Sequence, residues 1–242
     1  MTLHVTRISW EEHFIVSIQI AIDGPAGAGK STVAKRVATR LAIPYIDTGA
    51  MYRSVTWSAL QNNISLYDEQ ALVALVDNCD IQFIPGEPEQ KVVLNGQEIT
   101  TAIRTSDIGA LVSTVATHAL VREKLVQRQQ QMVNTTLGVV MDGRDIGTHV
   151  LPLADVKFFL TASLHMRAKR RFDELVLKGY SGLYEDVVCF VAKRDELDET
   201  REASPLKKAD DAVLLDTTAL AIDEVVEMII ALCKYRQSQK RG

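Results

Sequence analysis

The chain has 242 residues, 47% hydrophobic and 24% charged, with 27 Lys+Arg against 31 Asp+Glu for a net charge of -4. That length suits one large domain or two small ones, and the composition excludes a disordered chain, a collagen or a disulfide-stapled miniprotein. The acidic balance weighs against nucleic-acid binding as the main task, although local basic clusters stay open.

Residues 1–14 carry Arg7, Glu11, Glu12 and two histidines but no apolar core or small-residue cleavage site. They read as a loose N-terminal extension, not a signal peptide. Residues 15–22, IVSIQIAI, form a β-branched apolar run closed by Asp23-Gly24, which predicts a buried parallel strand. A Gly-rich loop follows, then a helix over 30–41 and a second strand over 43–46 closed by Asp47-Thr48-Gly49. Strand, loop, helix, strand is a βαβ unit and favours an α/β fold.

Helices are predicted over 51–61 and 68–78, after which the texture changes. Strands over 80–84 and 91–94 flank Pro85-Gly86-Glu87-Pro88, and Asn95-Gly96 is a tight-turn signal leading to Glu98-Ile99. This β patch does not fit a parallel register, so residues 62–121 read as an insert on the α/β body. Helices over 106–117 and 120–134 precede a strand over 138–141 ending in Asp142, and another over 156–160. Charged helices over 166–178 and 185–195, a last strand over 213–215 and a closing helix over 223–234 complete the pattern. The result is five short parallel strands separated by helices, plus the insert.

No run of about 18 apolar residues is present, so no membrane span is expected. Cys79, Cys189 and Cys233 are odd in number and form no CxxC pair, which suits reduced thiols in a cytoplasmic protein. His118, His149 and His165 lack metal-ligand spacing and read as ordinary polar positions. No heptad or broad apolar face argues for an oligomer, so a monomer is expected.

Gly24-Pro25-Ala26-Gly27-Ala28-Gly29-Lys30-Ser31 matches G-x-x-x-x-G-K-[ST] in full, between a predicted strand and a predicted helix. Glycine lets successive N–H groups curl inward onto a phosphate, and the following helix adds its positive end. Lys30 can reach β- and γ-phosphates, and the Ser31 hydroxyl can ligate Mg²⁺. The loop implies a nucleoside triphosphate, not what is done with it. The chain is short for a motor, and it lacks the N/T-K-x-D guanine motif of a GTPase. A small-molecule kinase, a nucleotide-dependent switch and a nucleic-acid ATPase stay open on the loop alone.

A kinase needs an acceptor site. Asp47-Thr48-Gly49-Ala50-Met51-Tyr52-Arg53 and Asp142-Gly143-Arg144-Asp145-Ile146-Gly147-Thr148 each follow a predicted strand, where open α/β sheets bind ligands. Each supplies an arginine, whose planar fork suits a phosphate, and at least one carboxylate. A surface salt bridge is the plain alternative for any one of these arginines.

GPAGAGKST, DTGAMYR, AIRTSDIG, MDGRDIGT, MRAKRR, KRDELDETR and SPLKKADDAVLLDTT occur here in the order and spacing of bacterial cytidylate kinases, over about residues 16–235. The chain thus resembles that family of P-loop nucleoside-monophosphate kinases, and its β insert resembles the family's enlarged acceptor domain. The resemblance implies a core of 15–61, 122–165 and 206–237, an acceptor insert of 62–121, and a lid with acceptor-contacting helices over 166–205. It implies ATP-dependent phosphorylation of CMP and dCMP, with Mg²⁺, and with neither nucleic acid nor membrane as partner.

Site roles implied by the resemblance follow residue by residue. Gly24 to Ser31, with Thr32, would hold ATP, and Ser31 would reach Mg²⁺ with waters. Arg53, Arg144 and Arg201 would grip the CMP phosphate, with Thr48 nearby, and Arg201 would also touch the sugar. Ser113, Arg122 and Asp145 would read cytosine, and Arg194 and Asp198 would hold the ribose. Arg167, Arg170 and Arg171, which share a helical face, would approach the donor phosphates from the lid. For these three, a solvated helix face and a nucleic-acid patch are the alternatives. Lys30, Arg144, Arg201 and Asp47 would be catalytic, Asp47 by ordering magnesium or its waters. Cytosine offers an amine donor where uracil has a carbonyl, so a carboxylate at 145 would discriminate between them. Arg194, Asp198 and Arg201 fall at i, i+4 and i+7 and predict one helical face, with an intrahelical ion pair as the alternative for Asp198.

Overall fold

The computed structural model describes residues 17–86, 89–177 and 179–241. The N-terminal extension and the Glu87-Pro88 part of the predicted insert turn lie outside the described residues. The chain runs β1 (Gln19–Asp23), α1 (Lys30–Leu41), β2 (Tyr45–Asp47), α2 (Thr48–Gln61) and α3 (Glu69–Asp77). The insert follows as β3 (Ile81–Ile84), β4 (Lys91–Leu94), β5 (Gln97–Glu98), α4 (Ser106–Thr117) and α5 (Ala119–Val133). Then come β6 (Val139–Asp142), a π-helical turn at Ile146–Val150, β7 (Val156–Thr161), α6 (Leu164–Leu177), α7 (Tyr184–Thr200), β8 (Val213–Asp216) and α8 (Ile222–Arg241).

Five strands form one parallel sheet in the order β2-β6-β1-β7-β8. Side chains alternate across it. Ile20, Ile22, Val140 and Phe158 pack with Val33 and Val37 of α1 and with Val225 and Ile229 of α8. Ala21, Ile46, Val139 and Met141 face the other way, against Ile146, Val150 and Leu151. Both faces are covered, which is why the central strands read as unbroken apolar runs.

Among the boundaries that differ from the expectation, two have a plain physical reason. Strand β2 begins at Tyr45 rather than 43, because Pro44 has no N–H to give the ladder and only its carbonyl accepts, from Val140 N–H. Helix α2 begins at Thr48 rather than 51, because the Asp47 side chain accepts from Ala50 N–H and caps it.

The insert carries a separate antiparallel sheet, β3-β4-β5. Its β4–β5 turn holds Asn95 at φ 50° and Gly96 at φ 81°, the left-handed pair that a two-residue hairpin needs. A second apolar cluster joins Val92, Leu94 and Ile99 to Met51, Val55, Val112 and Leu125, so α2 packs with the insert. No described helix is long and apolar enough to cross a membrane.

Candidate active site

Parallel strands end on the same edge of a sheet. The order β2-β6-β1 therefore sets the segments after Asp47, Asp142 and Asp23 side by side, and Asp47 and Asp142 are register partners on neighbouring strands.

The loop after β1 is built on glycine. Gly24 sits at φ 142° and Gly27 at φ 75°. A Cβ on Gly24 would overlap the Leu160 carbonyl, and one on Gly27 would lie 2.8 Å from the Arg167 carbonyl oxygen. Lys30 opens α1, is 5% exposed, and donates from Nζ to the Pro25 carbonyl at 2.8 Å. Burial, with Arg144 nearby, lowers its pKa to about 7.

Ser31 Oγ donates to Asp142 Oδ2 at 2.8 Å, and Tyr45 OH donates to Asp142 Oδ1 at 2.6 Å. Thr48 Oγ1 donates to the Asp142 carbonyl at 2.7 Å. Burial and the charge of Asp47 both raise the Asp142 pKa, and Lys30 opposes them. Asp47 is also buried, which raises its pKa, but Arg53 at 2.8 Å and the Ala50 N–H outweigh burial and hold it low. Two adjacent buried carboxylates beside a serine hydroxyl suit a small dication, since Mg²⁺ takes one or two carboxylates and fills its other positions with water and phosphate oxygens. Three acidic, histidine or cysteine side chains do not converge as a closed metal cage anywhere among the described residues.

Arginines surround the second half of the site. Arg144 Nε donates to Asp198 Oδ2 at 2.7 Å. Arg122 Nη2 donates to Asp145 Oδ2 at 2.5 Å, with its guanidinium 5.3 Å from the Tyr52 ring centre. Arg201 reaches Asp198 at 3.6 Å and Asp145 at 3.9 Å. Arg194 is lowered to about 10, by burial first and by Arg144 second. The Nε atoms of Arg53, Arg122 and Arg194 are buried without a hydrogen-bond partner. Ser113 lies on α4 and faces the same cavity.

The predicted common helical face of Arg194, Asp198 and Arg201 needs correction. Helix α7 stops at Thr200, and Arg201 has ψ 142°, outside helical geometry. Its guanidinium instead turns back to donate to the Ser204 carbonyl at 2.8 and 2.6 Å, which leaves it beside Asp198 and Asp145. Asp198 is 5% exposed, and its short ion pair is to Arg144, 54 positions away, rather than within its helix.

Arg167, Arg170 and Arg171 all lie on α6 but meet different surroundings. Arg167 is 7% exposed, pairs with Asp195 of α7 at 2.5 Å, and donates to the Ala26 carbonyl at 3.2 Å, behind the loop. Arg170 donates to Thr217 Oγ1 at 3.0 Å and to the Thr217 carbonyl at 2.6 Å. Arg171 pairs with Glu174 at 2.9 Å. Arg170 and Arg171 line the cavity, whereas Arg167, Gly24 and Pro25 do not.

That cavity encloses about 670 Å³ and runs from Gly27–Thr32 past Asp47, Thr48 and Arg53 to Ser113, Arg122, Asp145, Arg194, Asp198 and Arg201. Ten basic and five acidic side chains line it, a local positive excess in a chain of net charge -4. Such a cavity attracts polyanions. Asp142, Lys35, Tyr52 and Arg104 also line it, although the sequence assigned none of them a role of its own. Asp142 carried a usable signal, as the last residue of a predicted strand. Asp23 is 4% exposed, and burial raises its pKa to about 7 against the pull of two backbone N–H groups, Gly147 and Ile146.

Residues 20–235 match the family model described as cytidylate kinase. The chain is 55% identical over 213 residues to the cytidylate kinase of Bacillus subtilis strain 168, covering 88% of this chain and 95% of that one. It is 54% identical over 215 residues to the cytidylate kinase of Bacillus cereus strain B4264, covering 89% and 95%. Among solved structures, an uncharacterized protein from Eubacterium ventriosum superposes with a TM-score of 0.51 at 14% identity, over 91% of this chain and 99% of that one. A gluconokinase from Sinorhizobium meliloti superposes with a TM-score of 0.50 at 14% identity, over 93% and 96%. At that identity the two structures speak to the shared α/β fold only.

Proposed function

This chain belongs to the cytidylate kinase family, and from that premise we propose how its cavity moves the γ-phosphoryl group of ATP onto CMP and dCMP, giving CDP and dCDP. One observation carries the proposal: a glycine-rich phosphate loop and a cluster of five arginines, Arg53, Arg122, Arg144, Arg194 and Arg201, share a single cavity. One polyanion fits the loop, and a second phosphate fits the arginines.

In this reading residues 26–32 hold the triphosphate, with Lys30 on the β- and γ-phosphates, while Gly24 and Pro25 shape the loop from outside the cavity. Arg170 and Arg171 approach the donor from α6. Arg167 acts at one remove, by holding the Ala26 carbonyl against α7. Arg53, Arg144 and Arg201 grip the acceptor phosphate, whose oxygen lies in line with the γ-phosphorus. A bond forms from that oxygen to phosphorus as the bond to the β–γ bridging oxygen breaks, and no protein nucleophile takes part. Catalysis is positioning and charge neutralisation.

The positive excess of the cavity lining supports a site for anionic oxygens. Asp145 accepts the cytosine amine while Arg122, held against it, donates to a ring acceptor with Ser113 alongside. Asp198 accepts from ribose hydroxyls with its remaining capacity, Arg144 occupying one oxygen. Ser31 would ligate Mg²⁺, with Asp142 and Asp47 ordering its waters, and the ion when bound would offset phosphate charge. Residues 62–121 serve as acceptor insert and 166–205 as lid and acceptor helices, on the core of 15–61, 122–165 and 206–237. The free thiols at Cys79, Cys189 and Cys233 suit a cytoplasmic setting, and a monomer remains the expectation.

A thermal-shift panel tests the acceptor site. A ligand bound only by the folded state raises Tm by mass action. CMP alone should raise Tm more than UMP at equal concentration. A response to ATP with none to CMP would leave a nucleotide switch as the better reading.

A further inference from the structure

Asp145 precedes the π-helical turn Ile146–Val150 and occupies its cap position, yet makes no capping hydrogen bond. Its carboxylate is turned away, to Arg122 at 2.5 Å and toward Arg201 at 3.9 Å. An aspartate there would ordinarily satisfy the first free N–H groups of the turn. Those N–H groups are not left bare. Ile146 N–H donates to Asp23 Oδ1 at 2.8 Å, and Gly147 N–H donates to Asp23 Oδ2 at 2.7 Å.

Asp23 comes from elsewhere in the chain, as the last residue of β1 directly before Gly24. Burying a carboxylate is costly unless its oxygens are met. Here each oxygen meets one amide, so the cost is offset only while the turn keeps its place. Gly147 allows the close approach, since a Cβ there would lie 3.3 Å from Asp23 Oδ2 and 3.1 Å from Lys157 Cδ.

We infer that Asp23 is a positioning residue for the acceptor: it caps the Ile146–Val150 turn in place of Asp145, and so frees the Asp145 carboxylate to read the base. The inference rests on the reading of Asp145 as the base-contacting carboxylate. It gives Asp23 a second consequence. The residue that launches the phosphate loop also fixes the segment carrying Arg144 and Asp145, so donor and acceptor loops are clamped to one carboxylate.

The Asp23→Asn variant tests this. Asn keeps the shape but offers one acceptor oxygen, and its NH₂ opposes the second amide. Asp145 then competes for the vacant capping bond and leaves the base. The expected result is a KM for CMP raised at least fivefold and a CMP to UMP ratio of kcat/KM lowered at least fivefold, with a smaller change in KM for ATP. A merely structural role would lower Tm or the active fraction without moving either CMP quantity. In an Asp145→Ala background the same substitution should change the CMP to UMP ratio by at most twofold more, because the base-reading route is already gone, while any effect on the KM for CMP that passes through Arg144 would persist. If Asp23→Asn does not fold, Asp23→Ser, which is smaller and still an acceptor, is read by the same two quantities. A folded variant whose KM for CMP and CMP to UMP ratio stay within twofold of wild type overturns the inference. CMP turnover by the wild-type enzyme tests the functional reading separately and is untouched by that outcome.

Discussion

Ser31 Oγ donates to Asp142 Oδ2 at 2.8 Å across 111 positions of sequence. The bond ties the first turn of α1 to the end of β6, the strand that leads into Arg144 and Asp145. The glycine-rich loop and the segment of Arg144 and Asp145 are therefore stitched together inside one cavity.

Asp142→Asn should leave the fold intact, since an amide oxygen can still accept from Ser31 or Tyr45. It removes one negative charge beside Asp47. The Mg²⁺ concentration for half-maximal turnover should rise at least about tenfold, the size of a lost outer-sphere contact to a metal. A Mg²⁺ titration of initial rates checks this, and an unchanged midpoint would remove Asp142 from the metal's surroundings.

Lys30→Met should reduce phosphoryl transfer by at least about 10²-fold with the fold retained. A pH dependence accompanies it. With its pKa lowered to about 7, Lys30 is fully protonated only below that pH in the free enzyme. A bound triphosphate raises the pKa again, so binding takes up a proton above about pH 7. The Lys30 contribution to ATP affinity should be flat below about pH 7 and fall by up to about tenfold per pH unit above it. Calorimetric titration of wild type and Lys30→Met isolates it, and a difference between them that does not vary with pH would contradict the assignment.

Asp145→Asn should relax discrimination against UMP by about 1–3 kcal/mol while changing ATP binding less. The amide can turn either a donor or an acceptor toward the base. It also weakens the charge-assisted bond to Arg122. An unchanged CMP to UMP ratio of kcat/KM would show that Asp145 does not read the base.

Asp198→Ala removes a carboxylate placed among Arg144, Arg194 and Arg201. An exposed helix pair would be worth about 0.3–0.5 kcal/mol, but Asp198 is buried and its close partner comes from another segment. The expected loss is about 1.5–3 kcal/mol in kcat/KM, more than tenfold, with both CMP and dCMP because dCMP keeps its 3′-hydroxyl. Activity within about twofold of wild type on both nucleotides would leave Asp198 a structural residue.

The sequence was most legible where spacing alone dictates geometry. The loop of Gly24 to Ser31, the five apolar strands and the Asn95-Gly96 turn needed no long-range information. Asp142 was harder, because its partnership with Ser31 depends on β6 lying between β2 and β1, and strand order is not written in local pattern. Asp23 was hidden for the same reason, its ligands being amides 123 and 124 positions away. Arg167 illustrates a limit of helical periodicity: spacing placed it on a face with Arg170 and Arg171, but not what that face meets. Arg201 joined the site from outside the helix, through a turn of the chain after Thr200 rather than by period.

The most direct measurement is the steady-state kcat/KM for a panel of acceptors with MgATP, following both ADP release and the phosphorylated product. CMP and dCMP should give CDP and dCDP in one-to-one yield with ADP, and UMP should be disfavoured by at least about tenfold, the equivalent of one unsatisfied polar contact at the base. ADP release without CDP, or equal turnover of CMP, UMP and AMP, would contradict the assignment of this cavity to the cytidine nucleotides.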